Sequence, residues 1–453
     1  MSSAPAPDAE PGPDPVATAL ADADLLRVAA RPTGDAVAAA GLLARAARAT
    51  DTPFHVRTTW ATTVPAGDGR AVSVGWDAPD AVGLSTAGGR PLSVAAAAAV
   101  RSAGLDPDPV LALAGTVAAG ADPGVVGARQ TDASGTADDA AASGTGTLVE
   151  AATRHDAVER RPGVAAPTPD PVDGLVHSTL AWTPVAGDRD AAAALVREAG
   201  GAVSDGGVDA DEVDPEVRRT VASVVALDAT ADAPSRAVAA VERALRPYVT
   251  PAGPFETVGG FGDVLAATAR TDPGRAVALA VGADGVAESA LARWRAHGRT
   301  VHALSSSPRT ARYDGVSVVR VDPDAAPDDG VAVRAALPAV ARLASAFHAP
   351  EPTTLVVGGS SAVVVTTASA RTARDLLATA VAAATDATDA GDTSGADPRV
   401  VGGARLAELR PAVADEAETA ARTTEASATD EAATDDRLAI DTTALIDAVR
   451  EAA

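Results

Sequence analysis

The stretch VAARPTGDAVAAAGLLARAARAT, residues 28–50, narrows the possible folds more than any other part of the chain. An apolar lead-in at Leu25–Ala30 enters the polar turn Arg31-Pro32-Thr33-Gly34-Asp35, and a helix of small residues over Gly34–Ala49 follows at once. Strand, short turn ending in an acid, then helix is the repeating unit of parallel α/β sheets. The turn falls where such sheets hold phosphates or metals, at the carboxyl ends of their strands.

The same alternation continues downstream. Ala71–Trp76 reads as a strand, Leu92–Gly104 as a helix and Val110–Ala119 as a further apolar segment, taken as strand-like. Residues 131–147 have linker composition, and helices are expected at Leu148–Arg160, Arg189–Gly200, Asp214–Ala226 and Ser235–Leu245. Pro251–Gly262 reads as a Gly-rich loop opening a helix at Asp263–Arg270. Val277–Val281 reads as a strand and Ala283–His297 as a helix. Strands at Val316–Val321, Thr354–Val357 and Ala362–Thr367 are expected with helices at Gly330–Phe347 and Ala370–Ala384. A polar insertion at 385–398, an acidic spacer at 412–436 and a strand-like piece plus helix over Leu438–Ala453 complete the chain.

At 453 residues the chain has room for two or three domains. Only 2% of it is aromatic against 47% hydrophobic, so the core must be made of Ala, Val and Leu. The net charge is −24, there is no Lys, Asn or Cys, and all 37 basic residues are Arg. Such a chain suits a high-GC extreme halophile, because in molar salt the Debye length is about 3 Å and carboxylates serve hydration. Acidity of this kind still permits local Arg clusters to meet phosphate. The absence of Cys excludes disulfides, thiolate catalysis and Cys-based zinc sites. Residues 1–24 read as a disordered acidic leader without a signal-peptide pattern, and charges interrupt every apolar run, so a cytoplasmic protein without membrane contact is expected.

The six His are scattered. His177 beside Ser178 is the most suggestive, and the plainer reading there is a histidine satisfying a local turn. Gly259-Gly260-Phe261-Gly262, Gly358-Gly359 and Gly402-Gly403 match neither a P-loop, which needs a Lys, nor Rossmann spacing. Acids at strand ends say more. Asp35, Asp77 (with Asp80 as rival) and Asp122 could converge on a divalent cation, or stand there by chance in an Asp-rich chain.

The order of these parts resembles the DHH phosphoesterase superfamily, in its archaeal, haloarchaeal RecJ-like exonuclease branch. Over residues 25–410 the family's His-x-Asp-x-Asp falls on Arg31, Thr33 and Asp35, so only the last acid is kept. The namesake Asp-His-His has no counterpart, since residues 56–154 contain no His. Leu265, Ala267 and Arg270 occupy the family's Leu-Asn-Ala-x-x-Arg pattern, with Ala266 in place of Asn. Ser369-Ala370-Arg371 fits Ser-x-Arg, and Gly402-Gly403-Ala404 fits the Gly-Gly-His turn without its His.

The resemblance implies an α/β fold with a mainly parallel DHH-type domain at 25–250 and a flexible insertion near 131–147. A connecting helix and smaller α/β DHH-associated domain would follow at 251–410, then an acidic spacer and terminal helix at 411–453. It implies a RecJ-like replication or repair factor with degenerate metal motifs, binding single-stranded DNA or replisome proteins without cleaving. Arg371, Arg399 and Arg405, with Gly402 and Gly403, are the expected nucleic-acid contacts; surface pairing with acids is the plainer role for each Arg. Two alternatives stay open. One is an active phosphoesterase using Mn or Mg on Asp35, Asp77 and Asp122; the other is a protein–protein scaffold.

Overall fold

The computed structural model describes residues 14–85, 90–123, 145–203, 214–368, 371–387, 399–403, 405–410 and 442–452. Most of both expected insertions, the acidic spacer, Ser369, Ala370, Ala404 and the strand-like piece near 438 lie outside the described residues.

In chain order the first part runs α1 (Pro15–Ala21), β1 (Leu26–Ala30), α2 (Gly34–Ala49), β2 (Phe54–Thr58), β3 (Arg70–Val74), β4 (Val82–Leu84), α3 (Leu92–Ser102) and α4 (Pro109–Ala118). A helical middle follows: α5 (Thr145–Arg154), β5 (Glu159–Arg160), α6 (Pro171–His177), α7 (Arg189–Glu198), α8 (Pro215–Thr230), α9 (Ala237–Ala244), β6 (Tyr248–Val249), α10 (Val258–Thr271), α11 (Pro273–Val281) and α12 (Ala287–Ser305). The last part holds β7 (Arg309–Tyr313), β8 (Val316–Arg320), α13 (Val333–Leu343), β9 (Thr353–Gly358), β10 (Ser361–Thr366), α14 (Ala373–Ala387), β11 (Arg399–Gly402), β12 (Leu406–Arg410) and α15 (Thr442–Ala452).

The first sheet has the order β2-β1-β3-β4 and is parallel throughout. Leu26 pairs with both Phe54 and Arg70, and Ala30 with both Thr58 and Val74, which puts β1 at the centre. Helix α2 is buried along nearly its whole length, because it packs on β1 while α3, α4, α10 and α11 cover it. Small residues let those helices approach closely. A Cβ on Gly34 would meet Ala118 and the backbone of Ala266 at 2.8 Å, so that glycine marks a helix crossing.

The second sheet has the order β11-β12-β10-β9-β8-β7; β8 and β9 are parallel and the other pairs antiparallel. One face is closed by α13 with Leu337, Val340 and Phe347, the other by α14 and α15 with Leu377, Leu445 and Val449. The α/β architecture with a parallel sheet and a second sheet domain is therefore as expected.

Several elements differ from the sequence reading. Part of the stretch expected as a leader is α1, which buries Val16, Ala17, Ala19 and Leu20. Val110–Ala119 and Val277–Val281 are helical. Both apolar runs are too short for periodicity to decide, and the signal that decides is Asp-Pro. Asp108 accepts from the N–H groups of Val110 and Leu111, Asp272 from that of Arg275, and a proline occupies the first helical position each time. Gly282, with φ of 79°, then ends α11 in the left-handed conformation. The same Asp-Pro start caps α1, α6 and α8.

The second half of the expected Gly-rich loop is helical, while residues 251–257 are irregular: Thr257 caps α10 through Gly260 N–H, and Gly259, Gly260 and Gly262 lie inside the helix. A Cβ on Gly260 would fall 2.1 Å from the Ala166 carbonyl carbon. These glycines serve close packing. Strands β2 and β7 escaped the sequence reading because each is a largely solvent-accessible strand without a clean apolar alternation.

Candidate functional site

Asp35 sits on the first turn of α2, 7% exposed, and its two oxygens accept the N–H groups of Leu92 (2.7 Å) and Ser93 (2.9 Å). It therefore caps α3, tying the turn after β1 to the next helix. Burial pushes its carboxyl up to about 6, against the pull of those two donors. Because the folded value lies above the unfolded one, Asp35 contributes most below pH about 4 and progressively less as pH rises through 6. Asp35→Ala leaves two buried donors unpaired and is expected to cost about 1–3 kcal/mol in denaturant unfolding.

Thr33 is extended, at the N-cap position of α2, and its side chain makes no capping bond. Asp77 is exposed beyond β3 and leans on Gly83, where a Cβ would stand 2.3 Å from its Oδ1. Asp122 follows a helix rather than a strand, and its charge acts on Arg243. Asp35 is thus committed to a helix end, while Asp77 and Asp122 belong to different surroundings. Among the described residues no group of three His, Asp or Glu could hold a metal ion. The donor set does not fit a pair of divalent cations, each of which needs about six oxygen or nitrogen ligands.

Arginines occupy the place instead. Arg31 donates to the carbonyls of Thr59 (3.2 Å) and Ala61 (2.8 Å), and its guanidinium lies 4.1 Å from the Trp76 ring centre. Burial pushes its pKa down to about 10, and the like charges of Arg374, Arg399 and Arg410 push the same way. Those three come from α14, β11 and β12, so the turn after β1 faces a basic wall supplied by the second sheet.

Trp60, just past β2, lies between the two parts. The guanidiniums of Arg410, Arg270 and Arg31 lie 3.6, 5.6 and 6.0 Å from its ring centre. Glu408, 5% exposed, holds the junction: Arg270 of α10 grips it with both nitrogens (2.6 and 2.7 Å), and Arg410 adds a third bond at 3.0 Å. Arg342, Arg243 and Arg405 extend the basic lining, each close enough to depress a neighbour's pKa or to have its own depressed by one. In a chain with 61 acids and 37 arginines, this clustering is a segregation of charge.

Of the contacts expected from sequence, Arg399 acts on Arg31 and Arg405 on Arg243 through their like charges, and Gly402 and Gly403 lie at the turn between β11 and β12. Arg371 does not join them through its bonding: its Nη1 donates to the Ala452 carbonyl at the end of α15 (2.8 Å). His177 contacts Asp173, which Arg295 holds in a fork, while Ser178 Oγ accepts the N–H of Leu180, so both residues serve local structure. Trp60, Arg374, Arg410, Arg342 and Arg243 were missed. Trp60 was the readable one: a rare residue, one of four Trp, at the carboxyl end of a parallel strand.

A family model described as "Uncharacterized protein rrnAC1427, C-terminal domain" matches residues 308–410, the span of the second sheet. Uncharacterized protein rrnAC1427 of Haloarcula marismortui is 40% identical over 411 residues, covering 88% of this chain and 90% of that protein. Among solved structures, CDC45 from Entamoeba histolytica matches over 94% of this chain and 95% of its own, with a TM-score of 0.51 and 9% identity. Exonuclease RecJ bound to manganese aligns over 91% and 93%, at a TM-score of 0.39 and 13% identity. The fold is similar to that of CDC45, and 40% identity across about nine tenths of both chains places this protein in the rrnAC1427 family.

Proposed function

We propose that this protein is a non-cleaving member of the RecJ-like group that binds single-stranded DNA, in a replication or repair setting, through the arginine-lined cleft around Trp60. The observation that carries the reading is the exchange of charge at the turn after β1: Arg31, backed by Arg374, Arg399 and Arg410, stands where a metal-dependent enzyme needs carboxylates. A cation there opposes divalent metal and attracts phosphate. Trp60 adds a surface on which a base can stack, and stacking tolerates any sequence.

The test is the full chain with end-labelled single-stranded DNA in molar KCl, with Mn²⁺ or Mg²⁺ and with chelator. Binding without shortening of the strand is expected, the same with metal and with chelator. Metal-dependent degradation that disappears in Asp77→Ala or Asp122→Ala would establish an active phosphoesterase and end this reading. Neither binding nor degradation would leave a scaffold for replisome proteins.

A further inference from the structure

We propose that Arg243 and Arg342 form a binding site for a phosphate group, in a pocket between α4, α9, α10 and α13. The pocket is small, with about 50 Å³ of water-accessible space. Arg243 stands on the last turn of α9 and Arg342 on the last turn of α13, and both line it. Leu180, Leu343 and Phe347 make its apolar side.

Neither guanidinium has a hydrogen-bonded partner or an ion pair among the described residues. The carboxylates whose charge acts on them are Asp122 for Arg243, and Glu408 and Asp263, which lines the same pocket, for Arg342. Asp263 is taken: it accepts from Thr179 N–H (3.0 Å), Thr179 Oγ1 (2.6 Å) and Trp294 Nε1 (2.9 Å). Glu408 is taken by Arg270 and Arg410. Burial pushes Arg342 down to about 10, and the charge of Arg270 pushes it further in the same direction.

Two partly desolvated cations facing one pocket, with the nearby carboxylates Asp263 and Glu408 already held by other donors, call for an anion. A phosphate, with its several acceptor oxygens, can engage both forks at once, and arginine matches that geometry better than any other side chain. The site does not depend on the cleft binding a nucleic-acid strand. The phosphate can be free or the terminal phosphomonoester of a chain, and the two sources can be told apart.

Inorganic phosphate is titrated into the full chain in molar KCl while thermal unfolding is followed. A saturable rise in Tm is expected, absent in Arg342→Gln and Arg243→Gln and weakened in Arg342→Lys. Arg342→Gln removes an unpaired cation, so its Tm without phosphate should not fall below that of the parent, which separates loss of binding from loss of fold. In a second arm, thymidine oligomers with and without a terminal phosphate are compared by fluorescence anisotropy. A preference for the phosphorylated end that falls roughly 10- to 150-fold in Arg342→Gln identifies the chain end as the source. An effect of inorganic phosphate alone identifies the free ion. No saturable phosphate effect in either arm, or an equal effect in both Gln variants, overturns the site and leaves the two arginines as complements to the carboxyl ends of α9 and α13. Binding of the unphosphorylated oligomer reports on the Trp60 cleft alone.

Discussion

Replacing Glu408 with Ala is expected to destabilise the protein by about 3–5 kcal/mol, the range for breaking a buried ion pair by removing one partner. Among the described residues, Glu408 is the carboxylate that joins α10, packed on the first part, by ion pairs to β12 in the second sheet. Without it, the like charges of Arg270 and Arg410 would repel each other beside the Trp60 ring. Denaturant unfolding of Glu408→Ala checks the size of the loss. A triple replacement of Arg270, Glu408 and Arg410 by Met, Leu and Met should recover most of it, because hydrophobic substitutes for a whole buried ionic group are close to neutral. If the single variant costs under about 1 kcal/mol, as an exposed pair would, the junction is held by other contacts.

The pH dependence of this group is opposite to that of Asp35. Burial alone would raise the Glu408 carboxyl, but Arg270 and Arg410 override it and hold the folded value below the usual 4.5. Its stabilisation is therefore full above pH about 4.5 and is lost as pH falls, steepening acid unfolding. In Glu408→Ala that part of the acid transition should disappear.

Trp60→Ala should weaken binding of single-stranded DNA by about 5- to 150-fold, the equivalent of about 1–3 kcal/mol for one stacked base. Ionic contacts fade in molar salt, because little counterion release is left to gain. Stacking does not fade in that way, so the aromatic should matter more there than any single Arg. Trp60→Phe should restore most of the affinity. Anisotropy titrations at several KCl concentrations check this: the loss in Trp60→Ala should be nearly independent of salt, whereas that in Arg399→Ala should shrink as salt rises. A Trp60→Ala variant that binds as tightly as the parent would remove the ring from the interface.

How much of this could be read beforehand depends on the range of the signal. Strand β1, the turn and α2 follow from contiguous residues, and the structure keeps their boundaries to within a residue. The paired strands around Val318, Leu355 and Val364 were equally clear, being short β-branched runs between turn residues. The helix at Val277–Val281 was misread because an Ala/Val run fits either period, although Asp272-Pro273 and Gly282 around it carried the answer. Of the arginine cluster around Trp60 and Arg243, the sequence reading named Arg399 and Arg405, which flank the Gly402-Gly403 turn. The cluster's other arginines come from α9, α10, α13, α14 and β12, and no local pattern sets Arg342 apart from an Arg on a solvated face. Asp35 shows the converse limit. Its position in the turn was correct, and its commitment to Leu92 and Ser93, nearly sixty residues away, could come only from the fold.

The Asp-Pro helix starts divide the chain's negative charge into two kinds. Most surface carboxylates can be exchanged for neutral or basic residues to suit a medium of lower salt. Asp14, Asp108, Asp170, Asp214 and Asp272 cannot be treated so freely, because each is also the acceptor that lets a helix begin. Redesign for dilute buffer, or natural drift toward fresher water, should therefore strip the outer acids first and retain these five, with Asn or Ser as the acceptable replacements. What secondary structure fixes at these five positions is a hydrogen-bond acceptor, whatever the solvent around it, and the charge on that acceptor is what the salt selects.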